Sequence, residues 1–181
     1  IMSSTGVIGV RLPKEKITQS FEKISLENLD LNSHLRASDA IRTTDAFSKE
    51  VAFKVVLQNG ESFHIGAMAK GSGMIHINMG TMLSVMTTDC AISSQMLEKA
   101  LRKSVAGTYN CVSIDGDTST NDSLTILANG MAGNDEITCE GEDFEIFYEA
   151  LNAINNQMAK KIAGDGEGAT KLIECNVSGA K

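Results

Sequence analysis

The chain has 181 residues and 42% hydrophobic content, enough for one domain with a sizeable core. Its net charge of -7, the lack of a Lys/Arg cluster and an aromatic content of 4% without tryptophan argue against a nucleic-acid partner. They also argue against an anionic membrane surface, and no apolar run approaches the ~20 residues of a membrane span.

The opening Ile1-Met2-Ser3 reads as the middle of structured sequence, not as a secretory signal, and Ala180-Lys181 follows directly on an apolar run. Both ends therefore predict an internal piece of a longer protein. Pro13 precedes Ile17, Phe21 and Ile24 at helical spacing and predicts a helix that begins on the proline. A second, shorter helix is expected over 36–43, before Thr43-Thr44-Asp45. A hairpin follows: 51–57 as a strand, Asn59-Gly60 as a two-residue turn, and 63–68 as the return. Phe53, Val55 and Leu57 share one face while Ala52 and Val56 are apolar on the other, so cover is expected on both faces.

A further strand is expected over 81–87. Ser93 or Ser94 caps a helix carrying Met96, Leu97, Ala100, Leu101 and Val105. Residues 124–128 read as a short buried strand. Asp143 is expected to cap a long helix with Phe144, Phe147, Leu151, Ile154 and Met158 in one stripe, with Lys160-Lys161 in its last turn and Gly164 as its stop. Residues 172–177 read as a closing strand. Helices and strands mix without a regular β-α-β rhythm, which makes the class α+β. The four cysteines are far apart with no C-x-x-C pair, so buried free thiols are expected and no metal site is.

Two glycine- or acid-rich runs invite ligand readings and fail them. Gly164-Asp165-Gly166-Glu167-Gly168-Ala169-Thr170-Lys171 follows a helix and has the wrong order for a phosphate loop. In Asp115-Gly116-Asp117-Thr118-Ser119-Thr120-Asn121-Asp122, Thr120 and Ile126 stand where a calcium loop needs glycine and glutamate. Local hydrogen bonding accounts for the second run, which also has the density to brace a site. Lys70-Gly71-Ser72-Gly73-Met74-Ile75 leads to Asn78-Met79-Gly80-Thr81-Met82-Leu83. There a Gly-Thr bond opens a strand, an arrangement that suits a threonine cutting its own chain and then serving as an N-terminal nucleophile.

Together with Ser4-Thr5-Gly6-Val7-Ile8-Gly9-Val10-Arg11-Leu12-Pro13 and Thr43-Thr44-Asp45, these runs occur in one order. In that order they resemble the glutamate N-acetyltransferase/ornithine acetyltransferase family of arginine biosynthesis, over all 181 residues. The resemblance implies a layered α/β/β/α sandwich, incomplete here at both ends, with 1–181 a single domain. Residues 1–80 would end an α chain and 81–181 begin a β chain, joined at a self-cleavage site, Gly80-Thr81. Thr81 is implied as nucleophile, Thr5 and Gly6 as oxyanion hole, and Thr44, Lys70 and Glu167 as substrate contacts. The implied reaction moves an acetyl group from N2-acetyl-L-ornithine to L-glutamate through an acetyl-threonine. It needs no metal or cofactor, with acetyl-CoA as an alternative acetyl donor. The implied setting is cytoplasmic, as a heterotetramer of two α and two β chains. Ile77 and Gly80 depart from the family's usual proline and alanine. A related self-processing aminopeptidase and an inactive truncated domain acting only in assembly are the alternatives.

Overall fold

The structure, a computed structural model, describes residues 3, 6–7, 9–24, 29–77 and 82–179. Thr5, Gly80 and Thr81 lie outside these described residues. Four helices and four strands follow in the order α1 (Lys14–Phe21), α2 (Ser33–Ala40), β1 (Lys49–Val56), β2 (Ser62–Lys70), β3 (Leu83–Thr88), α3 (Ser94–Ala106), β4 (Ser123–Ala128) and α4 (Glu142–Gly164). This is the expected α+β class.

The strands form one sheet in the order β1-β2-β3-β4. The first two pairings are antiparallel and the third is parallel. Asn59 and Gly60 make the expected turn: Gly60 takes φ +88, which a residue with a Cβ adopts only at a cost. The parallel β3–β4 pairing requires a crossover, and α3 supplies it. Ser93 caps α3, its side chain accepting from the Met96 N–H.

One face of the sheet carries the core. The register aligns Phe53 with Ile65 and Val55 with Phe63, then Ala67 with Met86 and Met86 with Ile126. Helix α4 lies on β1 and β2 and packs against α3. Its stripe of Phe144, Phe147, Leu151, Ile154 and Met158 is wholly buried, and the Phe63 and Phe147 rings meet at 5.6 Å between centroids. The opposite face carries Ala52, Val56, Val85 and Leu127, all four exposed, and α2 touches part of it, with His34 3.5 Å from Glu50. Of the expected layers, the described residues build one of helices and one of strands. Of the second cover predicted for the hairpin, only α2 is among them.

Several boundaries move. Pro13 sits one position before α1 as its cap residue, and Gly141, not Asp143, precedes α4. Residues 171–178 are not a strand but an exposed irregular segment, with Ile173 87% exposed. A strand needs an edge to pair with, and this segment runs along α4 instead, where Glu174 and Lys160 pair at 3.0 Å. Of the cysteines only Cys90 is buried, its thiol pushed up to about 12 by that burial, while Cys111, Cys139 and Cys175 are exposed. No helix among the described residues is long and apolar enough to cross a membrane.

This packing predicts a sharp contrast. Phe147→Ala should lower stability by about 3–5 kcal/mol in urea denaturation, because a well-packed ring leaves a cavity. Ile17→Ala on α1, whose residues are all exposed, should change it by less than about 0.5 kcal/mol.

Candidate functional site

One end of the sheet gathers the polar residues that the sequence singles out. The start of β1, the end of β2 and the starts of β3 and β4 meet there, with Lys49 opposite Ala69, Lys70 opposite Leu83 and Leu83 opposite Ser123. Side chains alternate along a strand, so Lys49 belongs to the core-facing row and Lys70 to the opposite row. Both are buried all the same, Lys49 at 0% and Lys70 at 2% exposure.

Their surroundings differ in kind. Lys49 Nζ lies 2.7 Å from Asp45 Oδ1 and 2.5 Å from Asp165 Oδ2. Asp45 also accepts from the Gly71 N–H at 2.7 Å and the Thr43 N–H at 3.1 Å, and Asp165 from the Ala46 N–H at 3.0 Å. This network ties the loop before β1, the end of β2 and the end of α4 to one buried ammonium. Burial alone would raise the Asp45 carboxyl. The Gly71 N–H, Lys49 and the Thr43 N–H outweigh that and hold it below its usual 3.8.

Lys70 has no such closure. Its Nζ reaches the Thr43 hydroxyl at 3.4 Å, and among the described residues no carboxylate lies within 4.0 Å of it. Burial pulls its pKa below the usual lysine value, and the fields of Asp45 and Asp122 draw it back only in part. The half-buried Asp122 is displaced in the opposite sense: burial pushes its carboxyl up, and the Met82 N–H and Lys70 only partly offset this.

The acid-rich loop braces the chain on both sides of residues 78–81. Upstream, Asp115 accepts from the Met74 N–H at 2.5 Å and the Ile75 N–H at 3.1 Å. Met74 there holds φ 54, a left-handed conformation that costs a non-glycine residue about 1–2 kcal/mol. Downstream, Asp122 accepts from the Met82 N–H at 2.7 Å. Asp115 and Asp122 of the calcium-like run thus spend their carboxylates on backbone amides, as local bonding implied, and they brace the site as well.

Glu167 arrives from the turn after α4. Its N–H donates to the Ser72 carbonyl at 2.7 Å, and its carboxylate lies over Gly73. A Cβ at Gly73 would stand 2.9 Å from Glu167 Cδ and Oε1, so the glycine is what admits the carboxylate. Of the residues expected at the site, Lys70 and Glu167 are therefore brought to the same Gly71–Gly73 segment. Thr44 is exposed, and it is Thr43 whose hydroxyl turns to Lys70. Gly6 is exposed, and among the described residues Leu12 of its own segment is what lies near the space a side chain would take. Lys49 escapes sequence reasoning, while Asp45, Asp165 and Asp122 fall inside the runs named there without a role of their own. The only signal for Lys49 is a charge in the apolar row of a strand.

A model of the ArgJ family matches residues 1–181. The curated protein "Arginine biosynthesis bifunctional protein ArgJ 1" of Clostridium acetobutylicum is 48% identical over 180 residues, covering 99% of this chain and 44% of that protein. "Arginine biosynthesis bifunctional protein ArgJ" of Wolinella succinogenes is 50% identical over 180 residues, covering 99% of this chain and 43% of that protein. The crystal structure of a protein of the same name from Bacillus halodurans aligns at 45% identity with a TM-score of 0.45, over 47% of this chain and 39% of that one. The chain thus spans less than half the length of the curated relatives it matches.

The buried triad makes two measurable claims. Lys49→Met leaves Asp45 and Asp165 without their cation and should cost about 3–5 kcal/mol in chemical denaturation. Because the Asp45 carboxyl is held below its usual value, its contribution is present above about pH 4. It is lost as pH falls through the lower folded-state value. Asp45→Asn should therefore flatten the acid limb of the stability-pH curve; an unchanged limb would remove Asp45 from this role.

Proposed function

From the premise that the chain belongs to the ArgJ family, we propose that it carries the junction and part of the active site of an acetyltransferase. The enzyme moves an acetyl group from N2-acetyl-L-ornithine to L-glutamate, and its chain is cut between Gly80 and Thr81. The observation that supports this reading best is Lys70: a buried ammonium with no carboxylate partner among the described residues, held eleven residues before Thr81. An ammonium left open in this way is ready for a carboxylate, and both substrates carry one.

The chemistry follows from the residue types. In the uncut chain the Thr81 hydroxyl attacks the Gly80 carbonyl carbon. The acyl group passes from nitrogen to oxygen and frees the α-amine, and water then hydrolyses the ester, leaving Gly80 with a carboxylate. The freed α-amine, with an ordinary pKa of ~7.7–8.0, accepts the hydroxyl proton near neutral pH. Thr81 Oγ then attacks the acetyl carbonyl of acetylornithine, ornithine leaves with the proton, and acetyl-threonine remains. The glutamate amine attacks that ester, and Thr81 is regenerated. Thr5 and Gly6 are proposed as the oxyanion hole on the family resemblance, each donor being worth ~3 kcal/mol. Lys70 pairs with the substrate carboxylate and Glu167 with its amino end, while the hydroxyl at this corner comes from Thr43 or Thr44. The product chains assemble as two α and two β chains in the cytoplasm. Every step is acyl transfer between groups the protein and substrates supply, so no metal or cofactor is required, and acetyl-CoA is the alternative acetyl donor.

The test uses the full-length protein. Wild type should give two chains divided between Gly80 and Thr81 by intact mass under denaturing conditions, and acetylornithine alone should add one acetyl group to Thr81. Thr81→Ala should remain one chain and transfer nothing; unchanged cleavage and transfer in that variant would end this reading. Release of amino acids from peptides without transfer to glutamate would favour a peptidase instead.

Two further substitutions address the binding residues. Lys70→Met should lower kcat/KM by about 100-fold, through loss of one buried charge-assisted contact. Gly73→Ala should displace the Glu167 carboxylate and lower kcat/KM by about tenfold. Its Tm should stay close to wild type, because only the end of a flexible side chain has to move.

A further inference from the structure

Resting on the reading of Gly80-Thr81 as the junction, we infer that Asp122 is a positioning residue. Its carboxylate clamps the Met82 amide and adds negative charge beside the Lys70 ammonium.

Met82 is held by two adjacent residues of one loop. Its N–H donates to Asp122 Oδ1 at 2.7 Å, and its carbonyl accepts from the Ser123 N–H at 2.9 Å. An ordinary parallel ladder would meet the Met82 N–H with a backbone carbonyl. A carboxylate there makes a stronger bond and brings a charge that the amide alone does not need. That charge faces Lys70, which lies opposite Leu83 in the neighbouring strand.

The groups facing Lys70 from each side are Asp122 at the start of β4, and Asp45 and the Thr43 hydroxyl from the loop before β1. Asp45 already serves Lys49, the Gly71 N–H and the Thr43 N–H. Asp122 has one hydrogen-bond donor among the described residues, the Met82 N–H. A clamp on the Met82 amide fixes the backbone on the downstream side of the junction, and the same carboxylate adds to the field of Asp45 at the ammonium. Through one side chain the loop thus couples the junction to the substrate anchor.

The experiment titrates Lys70 in the full-length protein by ¹⁵Nζ-lysine NMR, the signal being identified by its loss in Lys70→Arg. Asp122→Asn keeps an acceptor for the Met82 N–H and removes the charge. Without that charge the ammonium is less favoured, so the Lys70 midpoint should fall by about one pH unit, a tenfold change in acid constant. The upper pH limit of acetyl transfer should move down with it. Asp122→Ala, which also frees the amide, should slow self-cleavage by at least tenfold. An unchanged Lys70 midpoint in folded Asp122→Asn overturns the inference, as does a shifted midpoint with an unmoved upper limit in an enzyme that transfers acetyl. If Asp122→Asn does not fold, the reciprocal measurement decides: Lys70→Met should raise the Asp122 midpoint in ¹³Cγ-aspartate spectra, and no rise refutes the coupling. A wild type that shows the coupling but transfers no acetyl defeats the acetyltransferase reading and leaves the Asp122–Lys70 link standing.

Discussion

The buried contact between Lys49, Asp45 and Asp165 is the constraint on which the polar end of this molecule depends. Moving an ammonium and two carboxylates out of water costs several kcal/mol per ion before any pairing. The arrangement persists because Lys49 meets both carboxylates and each carboxylate takes backbone amides as well. Its reach is topological. Asp45 belongs to the loop before β1, Gly71 to the chain just after β2, and Asp165 to the end of α4, so segments more than a hundred residues apart share one anchor. The 71–73 turn and Glu167 inherit their relative position from it.

Against that background the two lysines separate by role. Both sit at the same end of the sheet, on opposite rows, and both are buried. Lys49 is saturated by two carboxylates, and its charge has no further work to do. Lys70 is surrounded by fields but closes no ion pair among the described residues, and it and Asp122 are both displaced toward their uncharged forms by burial. A folded protein seldom leaves a buried cation so weakly matched for stability alone, and such mismatches concentrate where a ligand completes the set. That contrast is physical and local, and it does not depend on the family assignment.

Much of the framework was legible because its signals are local. The stripe from Phe144 to Met158, the Asn59-Gly60 turn and the Ser93 cap each depend on residues within a few positions of one another, and each element forms as expected. Expectations failed where the deciding partner is distant or absent. Residues 172–177 have strand-like composition, but β-structure requires an edge, and the segment meets α4 instead. The second apolar face of the hairpin is real, yet among the described residues only α2 touches part of it, and Ala52, Val56, Val85 and Leu127 stay exposed. Lys49 was invisible because its partner Asp165 is 116 positions away, a pairing that no periodicity encodes. Lys70 and Glu167 were found only because their motifs resemble a family, and composition alone would have left both as solvated charges.

The acid-rich loop shows why a polar cluster can look like a metal site and serve another end. Asp115 and Asp122 face amides, not a common centre: Asp115 takes the Met74 and Ile75 N–H groups and Asp122 takes the Met82 N–H. A peptide bond that is to be cut by its own neighbour must be held in a geometry the free chain avoids. Such strain survives only where the flanking backbone is over-determined. Met74 already sits in a left-handed conformation under the Asp115 carboxylate, so the upstream clamp bears strain in the described structure itself. Two carboxylates of one loop, seven positions apart, therefore hold the chain at Ile75 and at Met82, on either side of the Gly80-Thr81 bond. The loop's rigidity becomes part of the chemistry proposed for the bond it brackets.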